Sequence, residues 1–164
     1  MAEQWKIIED FPEYSVSDHG RIRFDRSGRI LRCNLNQYGL LQVGLFHEGI
    51  QRHRSVPLLV AKAFLPPGPG KFDTPINLDG DRLNNHVSNL AWRPRWFAVK
   101  FNQQFRYPSE YFIPDPIMDL KTHEVSANSL ECVKRYGLLQ KDLWMGIHNR
   151  TYVLPTYQQF VIIE

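Results

Sequence analysis

The residues able to do chemistry in this 164-residue chain are few and widely spaced. Asp79, Asp81 and His86 fall in one polar loop, and they are the set from which a divalent cation could be held beside a proton acceptor. The loop argues for a plainer role. Asp79-Gly80 is a turn, and His86 stands in Asn84-Asn85-His86-Val87-Ser88-Asn89, a run of short polar residues that bond to their own backbone. His47 and His53 lie on either side of an expected hairpin and read as surface or phosphate-contacting groups, not as a metal pair. Cys33 and Cys132 show no paired metal-ligand spacing, which speaks against a zinc ribbon and for a reduced, cytoplasmic chain. No Ser/His/Asp set, glycine-rich phosphate loop or cysteine nucleophile pattern is present.

The stronger chemical signal is positive charge. The net charge is only +3, yet arginine outnumbers lysine thirteen to seven. A guanidinium presents a planar fork to phosphate or to a base edge and stacks on bases, so this bias favours nucleic acid over a merely solvated surface. The arginines also cluster: Arg21, Arg23, Arg26, Arg29 and Arg32 are offset by Asp25 alone, followed by Arg52 and Arg54, then Arg93 and Arg95. Aromatic residues interleave with them (Phe24, Trp92, Trp96, Phe97, Tyr136, Trp144), a mixture that suits stacking on exposed bases.

The elements that must position these groups are legible from turn chemistry and alternation. Tyr14-Ser15-Val16-Ser17 reads as a strand closed by Asp18-His19-Gly20, and Arg21-Ile22-Arg23-Phe24 alternates so that both arginines share one face. Gly39 to Phe46 and Arg54 to Val56 bracket a turn at Glu48-Gly49. A helix is expected over Leu58 to Phe64, stopped by Pro66-Pro67-Gly68-Pro69-Gly70. A second, basic and aromatic, is expected over 92–105 with Pro94 in its first turn. Pro108, Pro114 and Pro116 make 107–116 an expected linker. Beyond it come a hairpin over Ile117 to Leu120 and His123 to Val125, and a helix Ser129 to Tyr136 capped by Asn128 and ended by Gly137. A helix from about Leu139 to Ile147 follows. Helix, tight glycine turn, helix is the pattern of a helix-turn-helix unit, and its second helix is expected to expose Gln140, Lys141, Trp144 and His148. The rival is a packed helical hairpin with no nucleic-acid role. The strand Tyr157 to Ile163 reads as a buried partner of the 117–125 hairpin.

Three segments together resemble phage- and intron-encoded HNH homing endonucleases. Trp5-Lys6-Ile7-Ile8 with Phe11-Pro12-Glu13-Tyr14-Ser15-Val16-Ser17 and Gly20-Arg21-Ile22-Arg23 is similar to the N-terminal nuclease-associated motif of these proteins. Leu59-Val60-Ala61-Lys62-Ala63-Phe64-Leu65-Pro66 resembles the helix before the HNH element, and Leu78 to Trp92 resembles the body of that element. Residues 117–164 are similar to the small helix-turn-helix module these nucleases often carry.

The resemblance implies an α+β fold: a small antiparallel β region with a degenerate ββα-metal, HNH-like unit over 1–106, a linker over 107–116, and a helix-turn-helix-like module over 117–164. In such nucleases a histidine activates the attacking water, and a divalent metal offsets charge on the scissile phosphate. The family pattern Asn/Asp-His-hydrophobic-Asp-Gly, set in register by Asp79-Gly80, implies that the general-base position falls on Asn77 and the preceding ligand position on Ile76. The bracing asparagine falls on Asn89, the second ligand position on Ala98, and an upstream histidine position on Pro57. An amide takes up no proton near neutral pH, and aliphatic side chains offer a hard cation nothing.

The expectation is therefore a nucleic-acid-binding protein without cleavage activity, and with no catalytic residue, metal or cofactor. It grips DNA or structured RNA, ribosomal RNA included. Its expected contacts are Arg21, Arg23, Arg26, Arg29, Arg32, Arg52, Arg54, Arg93, Arg95, Lys134, Arg135, Gln140, Lys141 and Arg150. Two rivals stay open: a metal-dependent nicking enzyme with rearranged ligands, and a protein-binding inhibitor of a host nucleoprotein machine. No apolar run approaches the roughly 20 residues of a membrane span, and Met1 to Trp5 is unlike a signal peptide. A monomer inside a phage-infected bacterial cell is expected.

Overall fold

The computed structural model describes residues 2–163. The chain folds as α+β with small antiparallel sheets and divides into two compact units, Met1–Asn77 with Asp81–Trp92, and Leu78–Gly80 with Arg93–Glu164.

In the first unit, alternation does most of the work. Strands β1 (Trp5–Ile8), β2 (Phe11–Ser17), β3 (Ile22–Phe24) and β4 (Arg29–Ile30) form one sheet in that order. Val16 pairs with Ile22 and Tyr14 with Phe24, so Tyr14, Val16 and Ile22 point to the core. Trp5 pairs with Ser17, and Ser15 with both Ile7 and Arg23, which lines these side chains along the opposite face. Gly20 closes the turn at φ +83°, which favours glycine, and a Cβ there would meet the Asn85 side chain closely, at 3.0 Å. A second sheet, β5 (Asn34–Leu35), β6 (Leu41–His47) and β7 (Ile50–Ser55), carries the hairpin expected around Glu48-Gly49. Val43 and Leu45 turn inward to join the core, and the Tyr14 hydroxyl accepts the Phe46 N–H at 3.3 Å.

Helix α1 (Val56–Phe64) lays Val56, Leu59 and Val60 against those sheets at helical spacing. Each such buried side chain contributes about 1.5–3 kcal/mol. The helix begins two residues before the expected Leu58, because proline is compatible with a first turn and Pro57 sits there. It ends before Pro66-Pro67. Strands β8 (Thr74–Asn77) and β9 (Leu90–Arg93) pair around the polar loop, whose last turn is a 3₁₀ segment, Val87–Asn89.

In the second unit, α2 (Arg95–Gln103) is shorter than the expected 92–105. Trp92 and Arg93 complete β9, and Pro94 is the N-cap residue, not part of the first turn. Residues 107–116, expected as a linker, lie wholly within this unit. Ile113 is buried, its N–H donates to Ser129 Oγ at 2.8 Å, and its carbonyl accepts the Ser129 N–H at 2.9 Å. A three-stranded sheet has β10 (Ile117–Asp119) between β11 (Val125–Ser126) and β12 (Phe160–Ile162), with Met118 opposite both Val125 and Val161. The last strand is thus the partner of the 117–125 hairpin. Helix α3 (Ser129–Tyr136) has both expected caps: Asn128 Oδ1 accepts the Glu131 N–H at 3.0 Å, and Gly137 takes φ +63°. Helix α4 (Gln140–Asn149) follows after Gly137-Leu138-Leu139.

Asp119 holds the β10 turn together. Burial alone would push its carboxyl up. It accepts the Lys121 N–H at 2.9 Å, the Thr122 hydroxyl at 2.9 Å and the Gln158 amide at 2.6 Å, and these bonds hold it below the ordinary value of 3.8. A depressed carboxyl adds stability that is complete above its unfolded value and lost as pH falls through the lower folded one. Asp119→Asn is expected to lower the stability of this unit at pH 7 by on the order of 2 kcal/mol and to flatten its loss of stability below about pH 4. Urea unfolding across a pH series, followed by tyrosine and tryptophan fluorescence, checks both.

Candidate nucleic-acid interface

The loop between β8 and β9 is braced by asparagines. Asn77, 4% exposed, donates from Nδ2 to the Asn84 carbonyl at 2.8 Å and to Asn85 Oδ1 at 3.0 Å. Asn89 donates to the same Asn84 carbonyl at 2.8 Å, and Asn85 Nδ2 to the Arg82 carbonyl at 3.2 Å. Asp81 Oδ1 accepts the Leu83 N–H at 2.9 Å, which makes it a turn-forming residue. His86 Nδ1 lies 2.7 Å from Ser88 Oγ and accepts the Ser88 N–H at 3.2 Å, capping the 3₁₀ turn. Its ring meets His19 edge-on, with centroids 4.7 Å apart.

These contacts decide what the loop can do. The side chain at the implied general-base position is a buried amide, and an amide nitrogen bonded to two oxygens is a poor proton acceptor. Ile76 in β8 is 1% exposed and aliphatic. Ala98 in α2 is 3% exposed, and Pro57 is buried in α1. This donor set does not fit the divalent metal of the resembling nucleases, because a hard cation needs several oxygen or imidazole ligands. Among the described residues no group of three or more His, Cys, Asp or Glu is arranged to hold a metal. His47 and His53 pair with Ile50 and Gly44 respectively, which puts them on opposite faces of the β6–β7 hairpin.

The arginines separate into two groups. Arg26, Arg29 and Arg32 are exposed along the β3–β4 edge and have no carboxylate partner among the described residues. Arg21 and Arg23 are partly committed. Arg21 pairs with Glu3 and Arg23 with Asp25 (2.9 Å), and both guanidinium groups lie over the Trp5 ring, at 5.7 and 4.4 Å. Sequence reading gave Trp5 no part in this surface; only the pairing register brings it there. Arg52 is exposed opposite Leu45, whereas Arg54 is half-buried with its guanidinium 5.1 Å over Phe11.

In the second unit Arg95, Lys141 and Arg150 are exposed. Arg135 pairs with Glu131 at 2.8 Å and donates to the Val125 carbonyl, and Lys134 lies 5.9 Å over Phe105. Two expected contacts are corrected. Arg93 is 8% exposed, with Nε donating to the Gly137 carbonyl at 3.1 Å and Nη2 to the Tyr136 carbonyl at 2.7 Å. Its charge serves the C-terminal end of α3, where the helix dipole is negative. Desolvation lowers its pKa from 12.5 to about 10, so it stays protonated at neutral pH. Gln140 is 5% exposed; its N–H donates to Gln104 Oε1 at 2.9 Å and its Nε2 to Ser129 Oγ at 3.4 Å. Both side chains are spent on internal partners. Phe97, expected among the stacking aromatics, is also buried.

The NUMOD4 motif matches residues 3–46. A protein of Acanthamoeba polyphaga mimivirus, described as an uncharacterized HNH endonuclease, is 35% identical over 92 residues, which are 56% of this chain and 27% of that protein. The chain therefore spans about a quarter of that relative's length. The structure of the HNH homing endonuclease I-HmuI, reported for its DNA binding and cleavage, superposes with a TM-score of 0.54 at 21% identity, covering 98% of each chain. Among the described residues no helix is long and apolar enough to cross a membrane.

Proposed function

We propose that this chain, a relative of the HNH homing endonucleases by motif, sequence and fold, holds nucleic acid without cutting it. One observation carries the reading: the general-base position is a buried amide spent on bracing its own loop, with aliphatic side chains at both ligand positions. Binding does not need those groups. Phosphate contacts supply affinity through charge and counterion release, with no metal. The grip runs through Arg26, Arg29, Arg32 and Arg52 in the first unit and Arg95, Lys134, Lys141 and Arg150 in the second. Arg21, Arg23, Arg54 and Arg135 contribute less, since each also serves an internal partner. The two helices α3 and α4 act as a helix-turn-helix module. DNA is the first target to test, because I-HmuI is reported to bind it, and structured RNA the second. A cell interior is where such a partner is met.

Filter binding of duplex DNA and of a folded RNA across a salt series tests this. Each phosphate neutralised on duplex DNA lowers the slope of log affinity against log salt by about 0.9. Four or more contacts are expected, hence a slope of roughly −3.6 or steeper. Weak affinity for both polymers, indifferent to salt, sinks the proposal and favours a protein partner.

A further inference from the structure

The second unit carries aromatic rings that duplex phosphate contacts leave unused, beside lysines that such contacts share. Tyr107 is 80% exposed and stands between two grooves of about 580 and 600 Å³ that both include Tyr107, Pro108 and Ser109 in their walls. On the α2 side, Trp96 is 58% exposed, with Lys100 Nζ 5.3 Å over its ring. Across the second groove Lys141 Nζ lies 5.8 Å over the Tyr111 ring. In the first, Lys134 Nζ lies 5.9 Å over Phe105.

An ammonium over a ring repeats three times in this unit, each on a flexible lysine stem that can swing aside from the ring toward a phosphate. A nucleotide presents a flat base and, a few ångströms away, a phosphate, so each pair matches one nucleotide: ring to base, ammonium to phosphate. A paired base cannot offer its face, because its neighbours in the stack cover it. The walls also carry carboxylates (Asp79, Glu110, Asp142), which keep the net charge of the grooves low. Burial raises the Asp142 carboxyl, against the pull of Lys100 and Lys141. A surface whose exposed rings outweigh its net charge fits stacking better than backbone charge alone.

We propose that Trp96, Tyr107 and Tyr111, with Lys100 and Lys141, form a platform for unpaired nucleotides, so that the protein favours nucleic acid with a single-stranded segment over an unbroken duplex. This rests on the nucleic-acid reading above and goes beyond it. Stacking is worth roughly ten-fold in affinity per base.

The test is fluorescence anisotropy at fixed salt with a labelled blunt-ended two-strand duplex and the same duplex bearing a short unpaired tail with one 2-aminopurine. Tail binding about ten-fold tighter is expected, with 2-aminopurine quenched on binding. Trp96→Ala with Tyr107→Ala, both at exposed positions, should erase the preference and the quenching while affinity for the blunt duplex stays unchanged. Equal affinity for the two oligonucleotides, or a preference without quenching, overturns the platform and leaves duplex binding standing. Failure to bind either oligonucleotide overturns the underlying nucleic-acid reading as well.

Discussion

Arg93→Met is expected to destabilise the second unit by about 3 kcal/mol, because it removes a buried charge-assisted donor from the Gly137 and Tyr136 carbonyls. The guanidinium closes the end of α3 through Gly137 and Tyr136, and its Cζ lies 5.8 Å from the Phe97 ring centroid. Methionine replaces the stem but none of the donors. For a unit of this size, 3 kcal/mol corresponds to roughly 15 °C in midpoint temperature. Arg93→Lys should fall between, since it keeps the charge but loses the fork that reaches two carbonyls at once. Had Arg93 been a nucleic-acid contact, as its clustering with Arg95 suggested, the pattern would be the reverse: weaker binding at unchanged stability. Thermal unfolding of Arg93→Met within about 2 °C of the parent chain would restore that earlier view.

Arg93 and Gln140 also mark where sequence reading stops. Both are residue types that usually sit at the surface, and both are buried by partners far along the chain: Gly137 for Arg93, Gln104 for Gln140. Nothing local announces such a bond. The same holds for residues 107–116, whose prolines look like a linker but whose Ile113 is tied to Ser129 by two hydrogen bonds. Local chemistry, by contrast, was legible. Both ends of α3 rest on single residues, Asn128 and Gly137, and they fall where capping rules put them. The last strand was legible as a sheet partner because its apolar run matched the hairpin before it. At the site, the register that the resemblance implies for Ile76 and Asn77 rests on one turn, Asp79-Gly80. That Asn77 is occupied by Asn84 and Asn85 was not legible, since it depends on how the loop closes.

That occupation underlies the second large expected effect, the absence of cleavage. A positioned general base contributes roughly 10²–10⁴-fold to a hydrolytic rate, and a bound cation several kcal/mol more. Loss of both removes roughly 10⁵-fold or more, which takes phosphodiester cleavage below detection over hours. Asn77→His is expected not to rescue it. The imidazole would arrive without metal ligands at Ile76 or Ala98, and the loop would lose the two bonds that Asn77 now donates.

The most direct measurement follows supercoiled plasmid incubated with the intact chain and Mg²⁺ or Mn²⁺, with a gel shift on the same DNA. The expected result is DNA that is bound and stays supercoiled, for the parent chain and for Asn77→His alike. Open circles that accumulate only with metal, and disappear with His86→Ala or Asp79→Ala, would contradict it and make this chain a nicking enzyme with rearranged ligands.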